Sequence, residues 1–491
     1  MLKHHRTARK LLIFTLTMSF LFPLLAACSS GDKQQEAEQV LRIGIPTSYG
    51  DDSHFRREFT DMFELAHKNV KIEIVPGAVK EGYRYMDWSQ PQKGEDEFKN
   101  MKKLMNSSQP VDVVVTDIQT HSQLAKEGLI KDLEPLMKKD NVDTNDMIPA
   151  IMNGIKAMGD GKVYGLTSTF SSSALFYNKK LFKDAGVPLP TDGMSWDEVF
   201  ALAKRVSKGE GKDRTYGFNF DKYPSSLYYQ LYHYTAPLNM REYDDKAEKM
   251  VVNGPQWKKF LEQLSSLSKE KVMYQEDDSQ QERREGPLAY DLFLSNKTAM
   301  VIGHYGYTDE LNTVMNMGNK VKGLTPFEWD VVTLPEHHEA PGVSGGYYLS
   351  DMTAINNKAT NPDLAWEFVK FVNSPEMIKL KSRSSYQLVN SQSVLKQKEG
   401  LNFNAEAFYK LKLNVPDASA IKQQELQRER PSLRYMSDLQ ARIIGEIISG
   451  KKSVADGLKE WETRGNDMLQ HIKKNPSGKM DNLIQKEVYG K

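Results

Sequence analysis

Cys28 is the only cysteine in a chain of 491 residues, so no disulfide can form within it and whatever folds here must be held by an apolar core. The same residue closes an apolar run. Lys3, Arg6, Arg9 and Lys10 precede Leu11 to Ala27, which is nearly continuous apolar sequence ending in Leu25-Ala26-Ala27. A charged start, an apolar middle and small residues at the end are the parts of an export signal, which is an address and not part of the fold. The 17 residues of the run, interrupted by Pro23, fall short of the ~20 that a spanning helix needs.

Leu25-Ala26-Ala27-Cys28 resembles the lipobox of bacterial lipoproteins. The resemblance implies cleavage before Cys28 and attachment of a diacylglyceryl group to its sulfur, a step for which a thiolate is the natural nucleophile. Residues 1–27 are then a signal peptide and residues 28–38, polar and poor in apolar side chains, a flexible tether. Acyl chains at ~0.8 kcal/mol per buried methylene would hold the protein on the outer side of the cell membrane.

Removing residues 1–27 takes away four of 66 Lys and Arg and none of 65 Asp and Glu, leaving 62 against 65 and a net charge of −3. That balance lacks the basic footprint of a nucleic-acid binder. With Cys28 acylated no thiol remains for metal or redox chemistry, and no cofactor is expected. A body of about 460 residues exceeds one ordinary core and predicts two lobes or more.

Val40 to Ile45 reads as a strand, Phe55 to Ala66 as a helix, Val70 to Val75 as a strand, Glu95 to Asn106 as a helix and Asp112 to Val115 as an apolar strand. This alternation predicts an α/β fold with a mostly parallel sheet, whose ligands collect at the carboxyl ends of strands. The loops there are Thr47 to Asp52 and Thr116 to His121. Further on, Ser195 and Glu198 form a capping box ahead of a helix at Trp196 to Ser207. Tyr216 to Phe220 reads as a strand and Thr298 to Gly303 as a central one, with a charged connection, Asp277 to Gly286, between them. Val343 opens a third strand-like stretch through Ile355; Asn361-Pro362 then starts a helix, and two helical patterns follow at Leu439 to Ile448 and Val454 to Ile472.

Four stretches, in order, resemble the family 1 extracellular solute-binding proteins of ABC importers, the group that includes maltodextrin-binding proteins. They are DVVVTDIQTHSQLAKEGLIKDLEPL from Asp112, GKVYGLTSTFSSSALFYNKKLFKDAGVPLPTDGMSWDEVFALAKRV from Gly161, NKTAMVIGHYGY from Asn296 and GGYYLSDMTAINNKATNPDLAWEFVKFVNSPE from Gly345. The resemblance implies a two-lobed periplasmic-binding-protein-like fold with discontinuous lobes, 39–168 with 345–392 and 169–340 with 396–491, and a ligand closed between them. The small residues at Thr167 to Ser172 and Pro341 to Gly346 suit hinge crossings. Where the family often carries a tryptophan, this chain has Tyr305 and Tyr307, and Tyr386 to Ser391 lacks the usual proline-containing turn.

Tyrosines suit a sugar cleft, since the ring stacks on C–H faces and the phenol hydrogen-bonds hydroxyls. Position in the family pattern singles out Tyr49, Thr116, Gln119, Ser171, Tyr228, Tyr305 and Tyr347. Tyr307 and Gly346 adjoin them, and Asp117 either accepts from a ligand hydroxyl or caps the next helix. Gly342-Val343-Ser344-Gly345-Gly346 fits the G-x-S-x-G of serine hydrolases, but that elbow needs a helix after its turn and Tyr347 to Ile355 reads as strand. His337-His338-Glu339 has metal-ligand atom types without a fourth partner at a recognisable spacing, and no carboxylate pair stands in a motif. The expected protein is a lipid-anchored, monomeric, non-enzymatic receptor that passes a small polar solute, an oligosaccharide or sugar derivative foremost, to ABC permease subunits. An extracellular hydrolase of oligosaccharides is the alternative.

Overall fold

The computed structural model describes residues 37–80, 82, 85, 96–223, 231–275, 286–396, 402–478 and 482–489. The segment read as an export signal, Cys28, nearly all of the expected tether and of the charged connection, and Tyr228 lie outside the described residues.

The first lobe is built around β1 (Gln39–Ser48), which buries Leu41, Ile43 and Ile45. A helical stretch, α1 (53–66), with a π-helical turn at Arg56–Thr60, lays Phe59 and Phe63 on it. β2 (Val70–Val79) runs parallel to β1, and on the other side β3 (Val113–Thr116), buried along its whole length, does the same. Two helices complete this half: α2 (Glu97–Met105) and, directly after β3, α3 (Ile118–Lys126). This is the parallel alternation read from the sequence.

The chain crosses through β4 (Thr169–Phe170) into β5 (Ser173–Asn178), the centre of the second lobe's sheet. The helix α4 (Trp196–Val206) opens with the expected capping box: Ser195 Oγ accepts from the Glu198 amide at 3.3 Å, and the Ser195 amide donates to Glu198 Oε2 at 2.7 Å. Its Trp196 ring lies 5.0 Å from Tyr234 of the short helix α5 (Tyr232–Thr235). β6 (Met300–His304) and β7 (Trp329–Val332) flank β5, both antiparallel to it. Here three expectations fail. Pairing is antiparallel because the neighbours of β5 come from much later in the chain, so no β-helix-β crossover sets their direction. β6 is not central, and Tyr216 to Phe220 is no strand but touches the sheet only at Tyr216↔Thr298 and Asn219↔Val301. A side chain on Gly217 would sit 2.0 Å from the Ala203 carbonyl oxygen, so this segment is pressed against α4 instead of lying in the sheet.

The return path is also broken up. After β8 (Val343–Ser344), Tyr348 and Ser171 exchange backbone hydrogen bonds of 3.0 Å in both directions, and Thr353 pairs likewise with Leu166. β9 (Met352–Ile355) then joins the first lobe antiparallel to β3, giving the order β2-β1-β3-β9. Asp112, fully buried at the start of β3, accepts from the amides of Arg42 (3.0 Å), Thr360 (2.7 Å) and Asn361 (3.0 Å). It thereby ties β1 and β3 to the entry of α6 (Pro362–Val372). β10 (Leu388–Val389) pairs with β4, and β11 (Lys412–Leu413) with β8. The helices α7 (Ala418–Glu429), α8 (Met436–Ile448) and α9 (Val454–Lys474) close the second lobe, burying Leu439, Ile443, Trp461 and Met468. One apolar cluster runs without a break from β1 through Phe170 and Tyr347 to Phe293 and Tyr307, while a second belongs to the later lobe alone.

Candidate functional site

A cavity of about 1020 Å³ lies where α5, α7 and the start of α8 face the first lobe. Ligand pockets run to roughly 1,000 Å³, so this one has room for more than a single sugar ring. The first lobe supplies Gln119, on the first turn of α3. The second supplies Tyr232, a series of amides (Asn239, Asn414, Gln423, Gln427, Gln440), and the charged Arg241, Glu242, Asp417 and Arg434. Amides carry both donors and acceptors, the complement of a polyhydroxylated solute.

Burial pushes Glu242 up to about 7, and its Oε2 is buried with no hydrogen-bond partner among the described residues. His233, desolvated by burial, is held neutral with its pKa lowered to about 4, and its Nδ1 lies 3.3 Å from the Gly345 carbonyl, bolting α5 to the crossing.

Of the described residues singled out by sequence, Gln119 alone lines this cavity. Asp117 takes the capping role, its Oδ1 accepting from the Thr120 amide at 2.8 Å. Thr116 is buried, and its hydroxyl has no partner among the described residues. Ser171 contributes its backbone to the crossing, and Tyr49 stands exposed on the loop after β1. Tyr305, Tyr307 and Tyr347 go elsewhere: they are 2, 1 and 9% exposed and packed in the core. Tyr305 meets Phe408 edge-on at 5.3 Å, and Tyr307 donates its hydroxyl to Asp291 at 3.0 Å under the Lys222 ammonium, 4.0 Å from the ring centre. Tyr347 donates to the Leu411 carbonyl at 2.7 Å. The expectation that Gly345 and Gly346 let a ligand approach is corrected as well. Side chains there would lie 2.7 Å from the His233 carbonyl oxygen and 2.6 Å from Leu334, so protein fills that space.

The ring presented to solvent at the crossing is the next one. Tyr348 is 54% exposed, and partial burial together with the nearby charges of Asp117 and Glu97 holds its phenol above the ordinary value. Neighbouring side chains of an extended segment face opposite ways, so only one of the pair Tyr347-Tyr348 can be in the core. Burial and the charge of Asp117 also raise Glu97. From α7, Arg428 reaches across the lobes to form an ion pair with Asp96 at 3.3 Å and donates to Gln123 Oε1 at 3.4 Å. Tyr386 of the first lobe stands against the loop after β6, its Cδ1 3.2 Å from where a side chain on Gly306 would begin. Tyr348 and Tyr386 were within reach of sequence reasoning; Arg428, Glu242 and Gln440 sit in no motif.

Ser344 and His337, from the two competing motifs, are both taken up in hydrogen bonds. Ser344 is buried and its hydroxyl accepts from the Gly346 amide at 3.0 Å, with no helix following. His337 is buried, its Nε2 2.7 Å from the Tyr234 carbonyl, while His338 is exposed. Among the described residues no group of His, Cys, Asp and Glu is placed to hold a metal, and no helix is long and apolar enough to cross a membrane.

A family of bacterial extracellular solute-binding proteins matches residues 88–398. The melibiose/raffinose/stachyose-binding protein of Bacillus subtilis is 22% identical over 267 residues, 53% of this chain and 56% of that protein. The sn-glycerol-3-phosphate-binding periplasmic protein of Yersinia pseudotuberculosis is 22% identical over 379 residues, 74% of this chain and 80% of that one. Among solved structures, a family 1 extracellular solute-binding protein from Alicyclobacillus acidocaldarius superposes with a TM-score of 0.60 at 17% identity, covering 89% of this chain and 99% of its own. That likeness identifies the fold as the two-lobed one.

Proposed function

Because this chain belongs to the bacterial extracellular solute-binding proteins, we propose that it is a receptor that captures an oligosaccharide or sugar derivative outside the cell and delivers it to an ABC permease. The observation that carries this reading is the cavity between the lobes, rich in side-chain amides, with Tyr232 among its lining residues. A relative that binds melibiose, raffinose and stachyose supports the substrate class. Binding, not turnover, is the role: Ser344 and His337, the residues of the competing motifs, are engaged in packing and turns. Gln119 and Tyr348 from one lobe and Tyr232 and the amides from the other are the ligand contacts we assign. The closed form is favoured by the contacts that a ligand makes with both lobes at once. The protein acts as a monomer, anchored through acylated Cys28.

Two measurements test this. A saccharide that fits, present at ~100 times its dissociation constant, is expected to stabilise the protein by ~2.7 kcal/mol in a melting assay. If mono- and oligosaccharides all leave the transition unmoved while a peptide or other solute shifts it, the substrate class is wrong. For the anchor, Cys28→Ala is expected to move the protein from the salt-washed membrane fraction to the soluble one. Retention on membranes would place the attachment elsewhere.

A further inference from the structure

The lining of the cavity is uneven in charge and in hydrogen-bonding capacity. Glu242 and Gln440 both line it. Glu242 Oε2 and Gln440 Oε1 are buried and have no donor among the described residues, and Gln440 as a whole is only 6% exposed. Buried acceptors without donors are rare in folded proteins, because each forfeits its bond to water.

The nearby cations are already engaged. Arg241 is paired with Asp245 and bonded to Ser419. Arg434 donates to the Tyr435 hydroxyl at 2.8 Å, with its guanidinium 4.7 Å from the centre of that ring. Asp417, the other lining acid, is satisfied: it caps α7 through the Ala420 amide at 2.7 Å and accepts from Asn239. Among the described residues, then, Glu242 Oε2 has no donor, and the cations that line the cavity with it are engaged elsewhere.

Resting on the reading of this cavity as the ligand site, we propose that Glu242 in its wall receives a protonated amine, and that the preferred solute is an amine-bearing sugar. An ammonium brings three donors and the missing positive charge. Its bond to a carboxylate is about twice as strong as one between neutral groups. A neutral sugar places only a hydroxyl there, and an anionic one meets a like charge.

The test is calorimetric titration of the mature protein with three tetrasaccharides of glucose-type rings: one with free 2-amino groups, its N-acetylated counterpart, and the neutral parent with hydroxyls. The free amine is expected to bind at least about tenfold more tightly than the other two. In Glu242→Gln, which keeps the side chain's shape, the ratio of the free amine's affinity to that of the neutral parent is expected to fall to about one. Equal affinities in the wild type, or a preference that survives the substitution, would overturn the proposal and leave the sugar receptor standing. Failure of all three sugars to bind would overturn both.

Discussion

Tyr347→Ala is expected to lower the unfolding free energy by about 3–5 kcal/mol, the range for truncating a buried aromatic side chain, while Tyr348→Ala changes it by no more than ~0.5 kcal/mol. The asymmetry follows from their surroundings. Tyr347 sits in the apolar cluster, its ring centre 6.0 Å from that of Phe170, and its hydroxyl donates to Leu411. Removing the ring leaves a void at the point where the two lobes share a core and strands a buried carbonyl. Tyr347→Phe loses only the hydrogen bond and is expected to cost about 1 kcal/mol. Tyr348 has over half its surface in solvent, so its loss is felt in saccharide binding, by roughly 1–3 kcal/mol, a stacked contact with its hydrogen bond. Denaturant unfolding and calorimetry on the two alanine variants would decide the matter. A stable Tyr347→Ala with weakened binding would return that residue to the site.

The second large effect concerns pH. Burial raises the Glu242 carboxyl in the folded protein from 4.5 to about 7. Below 4.5 the folded and unfolded forms are both protonated and the group costs nothing. Between 4.5 and about 7 the unfolded chain ionises first, so stability falls as pH rises, and above about 7 the loss is complete. The groups around it do not reverse the sign: Arg241 is held by Asp245, Arg434 by Tyr435, and Asp417 and His233 have partners of their own. Glu242→Gln is therefore expected to stabilise the protein by about 3 kcal/mol at pH 8 and by nothing at pH 4. Urea unfolding of both proteins across this range gives the difference directly, and parallel curves would show that Glu242 ionises without penalty.

Much of the fold was legible because the relevant signals are local. The capping box at Ser195 and Glu198, the apolar strand at Val113, and the proline at the start of α6 each state their structure within a few residues. What sequence reading missed depends on distant partners. Nothing near Ala174 says that β5 will be flanked by antiparallel strands, and the apolar run at Met300 reads the same at an edge as in a centre. Gly217 gave no warning that Ala203 would press on it. The site was less legible still. Alternation says that Tyr347 and Tyr348 face opposite ways but not which faces the core; packing against Phe170 settles that. Glu242 lies in a charged run and Gln440 on an amphipathic helix, where such residues are ordinarily solvated.

The pairing of β3 with β9 also bears on how the chain reaches its destination. The first lobe begins the described chain, yet its sheet lacks a strand until Met352–Ile355 has been made, and Asn356 reaches back 251 residues to the Met105 carbonyl. Contacts so far apart in sequence form slowly, since a long loop must close before they return any free energy. During synthesis the amino-terminal half therefore has no finished core of its own in which to settle. For a protein exported as proposed here, that delay keeps the leading part of the chain threadable through a translocation channel, and folding is completed on the far side, once β9 arrives.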